Sequence, residues 1–211
     1  MNITSVMADL MTWLEGGDAT KTNAYQTVMK HVGSEDEGRS LALRLLIHYY
    51  GDIHQPLHNV ERYTKEYPNG DKGGNDFTLK NHLSANELHA VWDNVIYIYH
   101  KNPKRPFTSD TWSTFGSVAA DLNGQYSFSN SEIQTIDYKS MGQESFEIAI
   151  TAYDGLTQGK DEVVPDSYIE KFQPIAKKRV VLAANRLVYA IEKIFGAKKV
   201  MASADEPFMV A

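Results

Sequence analysis

Three histidines and one aspartate stand within the eleven residues HYYGDIHQPLH, at positions 48–58. His48 and Asp52 are four residues apart, and so are His89 and Asp93 farther along the chain. On a helix, this spacing places two side chains on one face, where both can reach the same cation. Imidazole and carboxylate groups are both common zinc ligands. The two pairs are therefore candidate metal-binding residues.

Spacing alone does not distinguish a metal site from a hydrogen-bonded polar cluster. With seven histidines and 27 acidic residues in 211, about one histidine followed by an acid four residues on is expected by chance. His31 and Glu35, in the acidic stretch HVGSEDEG, are interpreted as such a surface pair. Asp52 and Asp93 lie in apolar segments, where a buried carboxylate needs a cation or hydrogen-bond donors. A metal ion is the favoured partner, and donors from histidines, Trp92 or tyrosines are the alternative.

The other histidines receive different interpretations. His54 and His58 flank Pro56, which breaks a helix, so these two cannot form a helical chelate. His54 faces away from the first pair and is assigned to packing or to a hydrogen bond behind the site. His58 follows the proline and is able to approach the remaining candidates. His82 and His100 are assigned to surface or structural roles.

Hydrophobic spacing predicts the elements that carry these residues. Helices are predicted at 3–14, 37–54, 85–100, 109–124, 140–156 and 166–195. The helix at 37–54 is apolar on most sides and is predicted to be largely buried, with Ser34 as a candidate N-cap and Gln55 at its end.

The segment between the second and third predicted helices is rich in glycine, asparagine and aspartate. This composition predicts a long loop with a short hairpin around FTL. Strand signals are otherwise nearly absent. We therefore predict an all-α fold with a single helical domain over residues 1–195 and a disordered tail over 196–211.

Composition narrows the possible functions. The formal net charge is −6 and the basic residues are interspersed with acidic ones, so no basic stripe indicates binding of nucleic acid by bulk charge. The absence of cysteine excludes disulfides and thiolate metal sites in this chain, which leaves His, Asp and Glu as ligands. No apolar run is long enough to span a membrane, and the N-terminus lacks the pattern of a signal peptide.

Three segments together resemble the central signature of the S1/P1 nuclease family, namely LALRLLIHYYGDIHQPLH, GDKGGND and LHAVWD. SMGQESFEIA and IAKKRVVLAANRLVYAI are more loosely similar to later elements of that family, so the resemblance extends to about residue 195. It implies the all-α phospholipase C/P1 nuclease fold. It also implies hydrolysis of single-stranded RNA and DNA and of 3′-nucleotides to 5′-phosphate products and nucleosides, by water that zinc activates. A secreted or lysosome- or vacuole-like location and a monomer are expected.

The resemblance assigns roles to the candidate residues. The family holds three zinc ions, and His58, His89 and Asp93 are expected to hold one of them. His48 and Asp52 are expected to serve the other two, with Asp52 bridging them, and to be the catalytic residues.

GDKGGND, residues 70–76, is a candidate substrate-binding loop at the mouth of the site. Glycines allow a backbone to approach an ion or a phosphate closely. Asn75, beside Gly74, is a candidate hydrogen-bonding contact to a ligand or the substrate. An ordinary glycine-rich turn is the alternative.

The start of this chain resembles a segment that lies some way into the sequences of the family. Family members begin with a tryptophan and a histidine, and later supply an aspartate and a histidine that complete the ligand set, whereas MNITSVMADLMTWL matches a segment beyond all four. We therefore expect this chain to lack the family's N-terminal segment, to retain at most one strongly bound zinc ion and to show little hydrolysis. Asp71 or Asp76 would be the candidate replacements if all three ions were held.

Two alternative functions stay open. One is a phosphodiesterase of the zinc phospholipase C type, because similar sites serve different phosphodiesters. The other is a truncated, non-catalytic domain that binds zinc or acts as an interaction module.

Overall fold

The computed structural model describes residues 2–101, 103–157 and 163–196. Eight α-helices, one short 3₁₀ helix and one two-stranded sheet form within these residues. The helices are α1 (Ile3–Leu14), α2 (Asn23–Met29), α3 (Glu35–His54), α4 (Leu88–Asp93), α5 (Ser109–Gln125), α6 (Asn130–Ile133), α7 (Tyr138–Ala149) and α8 (Asp166–Phe195). The 3₁₀ helix is Pro56–Asn59, and the strands are β1 (Thr78–His82) and β2 (Ala85–Glu87). The predicted all-α fold is confirmed.

The described residues divide into two compact units. The first comprises those of Met1–Asp52, Asn130–Ser140 and Ala183–Ala211, and the second those of Ile53–Ser129 and Met141–Leu182. A single domain over residues 1–195 stays a prediction. Residues 197–211 of the predicted tail lie outside the described residues. No helix within the described ranges is both long and apolar enough to cross a bilayer.

Helix α1 has the predicted start and end. The side chain of Asn2 caps its first turn by accepting the N–H of Ser5. Its end is followed by Gly16, whose φ of +89° is the left-handed conformation that glycine adopts readily after a helix. The apolar face of α1 contributes to the core of the first unit, which includes Met7, Leu10, Leu14, Val28 and Leu46.

Trp13 anchors α1 to its neighbours in the first unit. Its indole N–H donates to Oε1 of Glu35 at 2.6 Å, and the hydroxyl of Tyr25 donates to the other oxygen at 2.9 Å. The guanidinium of Arg39 donates to the carbonyl oxygens of Trp13 and Leu14 at 2.7 and 2.8 Å. Arg39 thus satisfies carbonyls that the end of a helix leaves without an intrahelical partner.

Helix α3 covers its predicted segment, and Oγ of Ser34 accepts the N–H of Glu37 at its start. The expectation that it is buried on most sides is wrong, because Ile47 and His48 are both exposed. The high apolar content of the segment concealed an ordinary amphipathic pattern. The buried apolar side chains lie on one face, three or four apart: Ala42, Leu46, Tyr50 and Ile53.

The second unit contains the predicted hairpin. Strands β1 and β2 are antiparallel, with Thr78 opposite Glu87 and His82 opposite Ala85. Because β2 leads directly into α4, the hairpin sets where that helix begins. The core around it combines residues from the 3₁₀ helix, the hairpin, α4 and α8, among them Leu57, Phe77, Leu88, Val91, Trp92 and Phe172.

Helix α4 is much shorter than the predicted helix at 85–100. Val95, Ile96 and Tyr97 have φ values of 51°, 51° and 71°, a region that branched and bulky residues rarely occupy. All three are buried in the core of the second unit. Burial of these apolar side chains offsets the backbone strain, and the helix ends after Asp93. Apolar spacing does not separate a buried turn from a helix, which is why the prediction ran too far.

The later helices agree with the predictions more closely. Helices α5 and α8 match their predicted segments. Helix α7 ends at Ala149 rather than 156, and turns follow that carry Tyr153. The short helices α2 and α6 were not predicted, although Thr22 at the start of α2 is a recognisable N-cap.

Candidate metal centre

Three of the candidate ligands meet in the second unit. His58 lies on the 3₁₀ helix, and His89 and Asp93 lie one turn apart on α4. The ligand atoms of the three lie within 4.8 Å of one another. Nε2 of His58 is 3.1 Å from Nε2 of His89, and these two atoms are 3.6 and 3.8 Å from the oxygens of Asp93. Among the residues that the structure describes, these three form the group of histidines and acidic residues whose ligand atoms lie close enough together to share a cation.

The separations in this cluster fit a zinc ion. Two ligands that each lie about 2.1 Å from a tetrahedral ion are about 3.4 Å apart. The observed distances of 3.1, 3.6 and 3.8 Å bracket that value. Two imidazole nitrogens and a carboxylate also match the donor types of zinc sites that keep a position open. The cluster therefore fits the ion that the resemblance implies.

The ring of His89 is held by the backbone of the 70–76 loop. Its Nδ1 lies 2.8 Å from the carbonyl oxygen of Gly73. A carbonyl only accepts, so we assign the hydrogen to Nδ1. Nε2 of His89 then presents a lone pair toward His58 and Asp93. A carbonyl behind a histidine is the usual device that orients an imidazole ligand.

Asp93 is held by the segment before the 3₁₀ helix. Nε2 of Gln55 donates to Oδ1 of Asp93 at 2.9 Å. Burial acts to raise the pKa of the Asp93 carboxyl. Hydrogen bonds from His58 and Gln55 outweigh burial, and with the adjacent imidazole charges they hold that pKa below its usual range. Asp93 is therefore an anion near neutral pH, as a carboxylate ligand must be.

Local sequence explains how His58 reaches this cluster. Pro56 cannot continue α3 and begins the 3₁₀ helix, whose first turn is capped by the side chain of Gln55 accepting the N–H of Leu57. The amide of Asn59 donates to the carbonyl oxygens of Ile53 and Gln55 at 3.1 and 2.9 Å. These bonds fold the chain back on the end of α3 and turn His58 toward α4.

Within GDKGGND, Gly73 allows close approach to a neighbouring backbone segment. Gly73 has a φ of +62°, and a Cβ there would lie 2.2 Å from the carbonyl oxygen of Leu57. The carbonyl oxygen of Gly74 accepts the backbone N–H of His89 at 3.3 Å. The side-chain amide of Asn75 donates to the carbonyl oxygen of Lys72 within the same turn. Substrate contacts of Gly74 and Asn75 stay predictions.

His48 and Asp52 lie in the first unit and form a pair of their own. Nε2 of His48 is 3.1 Å from Oδ2 of Asp52, and the two side chains are 69% and 22% exposed. The side chain of Asp93 is 50% exposed. The expectation that both aspartates are buried is therefore wrong, because Asp93 is half exposed and Asp52 is only partly buried. Their selection as candidates depends on spacing and on the resemblance.

The other predicted residues have structural partners. His54 is buried, His82 packs edge-on against Tyr97, and Nδ1 of His100 bonds to the Tyr97 carbonyl. Asp71 accepts hydrogen bonds from Tyr153 and Arg62, and Asp76 pairs with Lys72. Two contributors were missed, the side chain of Gln55 and the carbonyl of Gly73. The position of Gln55 before a proline marked the end of α3, but nothing in the local sequence indicated its contact with Asp93.

Comparison with known proteins defines the class. The S1/P1 Nuclease family model matches residues 15–196, and the chain belongs to this family. Among its relatives are three endonucleases of Arabidopsis thaliana. Endonuclease 4 is 30% identical over 164 residues, 74% of this chain and 51% of the relative. Endonuclease 3 is 30% identical over 170 residues, which are 77% of this chain and 54% of the relative. Endonuclease 1 is 26% identical over 189 residues, which are 81% of this chain and 56% of the relative. The chain thus spans about half the length of these relatives.

Proposed function

We propose that this chain is a zinc-dependent nuclease domain in which His58, His89 and Asp93 hold one zinc ion. The observation that carries the proposal is the meeting of two imidazole nitrogens and a carboxylate within 4.8 Å. Membership of the S1/P1 nuclease family and the endonuclease names of the relatives support nucleic acid as the substrate. Single-stranded RNA and DNA and 3′-nucleotides are the proposed substrates, with 5′-phosphate products and nucleosides.

The residues of the centre perform distinct tasks. Asp93 supplies the anionic ligand, and the hydrogen bond from Gln55 fixes the direction of its carboxylate. His89 is oriented by the carbonyl of Gly73, while His58 supplies the second imidazole from the 3₁₀ helix. Zinc, when bound, lowers the pKa of water and acts as a Lewis acid toward phosphoryl oxygen. Because the protein supplies three ligands, a fourth position is left for water or substrate.

His48, Asp52, Gly74 and Asn75 have proposed roles beyond this centre. His48 and Asp52 are proposed as ligands of the family's further ions and as catalytic residues. Their four-residue spacing and 3.1 Å contact support a shared role. Gly74 and Asn75 are proposed to contact the substrate, and their place in a loop that touches His89 supports this role.

Metal content is the first test, because all three residues of the proposed centre lie within this chain, although it spans about half the length of its relatives. Elemental analysis after dialysis against zinc should find one equivalent per chain, and Asp93→Asn should reduce it to a trace. Asp121→Asn, an exposed aspartate of α5, is the matched control and should keep one equivalent. A wild-type chain without zinc, or an Asp93→Asn chain that retains it, would contradict the proposed centre.

Substrate class is the second test. Hydrolysis is measured on a single-stranded oligonucleotide, its duplex, a 3′-nucleotide and a phosphatidylcholine. Cleavage confined to the nucleic acid and nucleotide supports a nuclease. Cleavage of the lipid alone would instead indicate a phospholipase C type of activity.

A further inference from the structure

The 70–76 loop contains a carboxylate that is fully buried. Asp71 is 0% exposed. Its Oδ2 accepts the hydroxyl of Tyr153 at 2.7 Å, and its Oδ1 accepts the backbone N–H of Arg62 at 3.1 Å. A buried carboxylate without donors would be strongly unfavourable. Asp71 is therefore stable in this place because Tyr153 and Arg62 donate to it.

Tyr153 reaches Asp71 from the turn after α7. A carboxylate accepts, so the phenol is the donor. Burial, and then the bond to Asp71, raise the pKa of Tyr153, which keeps its proton in place throughout the physiological range. Its ring contacts Phe77 edge-on at 5.7 Å, and the guanidinium of Arg62 lies 4.7 Å from the ring centre. The hydroxyl is thus aimed at Asp71 by packing on two sides.

Asp71 also closes the loop that orients His89. Its carbonyl oxygen accepts the N–H of Asp76 at 3.0 Å, which joins the two ends of the turn. Gly73 lies inside that turn, pressed against the carbonyl of Leu57, and its own carbonyl oxygen is 2.8 Å from Nδ1 of His89. A continuous set of contacts therefore connects Tyr153 to the imidazole of His89.

We propose that Tyr153 and Asp71 are positioning residues of the metal centre. Their hydrogen bond seats the 70–76 loop so that the carbonyl of Gly73 fixes the Nδ1–H tautomer of His89 and directs Nε2 toward His58 and Asp93. The assignment of the His89 tautomer depends only on the contact between Nδ1 and the Gly73 carbonyl oxygen. The consequence for zinc affinity rests on the proposed function.

The first experiment measures the tautomer of His89 in the chelator-treated chain. Long-range proton–nitrogen NMR correlations at mildly alkaline pH distinguish Nδ1–H from Nε2–H imidazole. The wild-type chain should show the Nδ1–H form. In Tyr153→Phe, which retains the ring but lacks the donor, the Nε2–H form should gain population. A tautomer that is unchanged in Tyr153→Phe would overturn the proposal, whether or not the chain binds zinc.

The second experiment measures zinc affinity by competition with a chromogenic chelator. Partners behind a ligand typically change metal affinity by about 10–100-fold, and Tyr153 acts one contact farther away, so we expect a loss of about tenfold in Tyr153→Phe. Asp71→Asn, which keeps an acceptor oxygen and is milder than a truncation, should also weaken binding. If the two residues act through one bond, the double variant should lose little more than the weaker-binding single variant.

A matched variant separates positioning from general destabilisation. Tyr25→Phe removes a hydroxyl of the first unit that, like that of Tyr153, donates to a carboxylate, here Oε2 of Glu35 at 2.9 Å. Tyr25→Phe and Tyr153→Phe are both expected to lower the melting temperature of the zinc-free chain by a few degrees, whereas Tyr153→Phe alone should change zinc affinity and the His89 tautomer. Equal affinity in wild type and Tyr153→Phe would refute the role in metal binding and leave the proposed nuclease intact. Absence of zinc binding in the wild type would refute the proposed function, and the tautomer measurement would still decide the role of Tyr153.

Discussion

The Nε2 atoms of His58 and His89 lie 3.1 Å apart, with their rings tilted by 40° to one another. A cation shared by both rings takes the two Nε2 lone pairs, so each ring must carry its proton on Nδ1. For His89 the carbonyl of Gly73 already secures that tautomer. The contact between the two histidines is therefore the feature of the second unit on which metal binding most directly depends.

Replacement of His89 should abolish tight zinc binding. His89→Ala leaves His58 and Asp93 as the ligands of the centre, and zinc affinity should fall by more than about 100-fold, since loss of a partner behind a ligand alone costs 10–100-fold. Isothermal titration calorimetry with zinc checks this. His31→Ala, which removes an exposed histidine of the first unit, is the control and should bind as the wild type does. Equal affinities in the two variants would exclude His89 as a ligand.

Gly73→Ala should damage both the fold and the centre. The added Cβ would lie 2.2 Å from the carbonyl oxygen of Leu57, so the loop must move. We expect a loss of about 2 kcal/mol or more in the free energy of unfolding, together with weaker zinc binding. Gly155→Ala has a similar φ of +76° but meets nothing within 4 Å.

Gly155→Ala is therefore the control for backbone strain alone. It should cost about 1 kcal/mol and leave zinc affinity unchanged. Urea unfolding followed by circular dichroism, with and without zinc, compares the two variants. If they lose the same stability and bind zinc equally, the contact with Leu57 has no special importance.

Gln55→Ala should weaken the metal centre. It removes the donor to Asp93 and the acceptor that caps the 3₁₀ helix at Leu57. Zinc affinity should fall by about tenfold, the low end of the range for such partners, and is measured by chelator competition. Gln143→Ala, on the exposed side of α7, should have no effect on affinity. A Gln55→Ala chain with unchanged affinity would show that the direction of Asp93 does not depend on Gln55.

Arg39→Ala should destabilise the first unit. It removes two charged hydrogen bonds to the last carbonyls of α1. Such bonds contribute about 1.5–3 kcal/mol each, and because Arg39 is partly exposed we expect a total loss at the low end of their sum, about 3 kcal/mol. Arg44→Ala, on the exposed side of α3, should stay within about 0.5 kcal/mol of the wild type. Chemical denaturation measures both variants. A negligible effect of Arg39→Ala would mean that solvent replaces the cap without loss.

Buried tyrosines should make the fold sensitive to alkali. Burial raises the pKa of Tyr153 and Tyr168 in the folded chain, whereas tyrosines of the unfolded chain titrate near their ordinary pKa of about 10. The folded state then holds more protons than the unfolded state above that pH, so the free energy of unfolding must fall as pH rises. Urea unfolding at pH 8 and 11 measures the loss. Tyr153→Phe, which has no phenol to titrate there, should lose less over this interval than the wild type.

The sequence by itself determined the features that depend on near neighbours. Four-residue spacing put His89 and Asp93 on one face of α4, because a helix brings such positions together whatever surrounds it. Pro56 ended α3, since a proline cannot continue the backbone hydrogen bonds. The glycine-rich composition before β1 predicted a loop, and hydrophobic spacing predicted the long helix α8. These inferences needed no knowledge of distant contacts.

Tertiary structure decided which of the candidates meet and how they are aimed. His58 is 31 residues from His89, and the two rings face each other because the 3₁₀ helix packs against the loop at Gly73. The tautomer of His89 depends on a carbonyl 16 residues away. Helix α4 stops after Asp93 because burial of Val95 and Ile96 in the core outweighs their helical preference. Each outcome depends on the free energy of contacts between segments remote in sequence, which no local pattern contains.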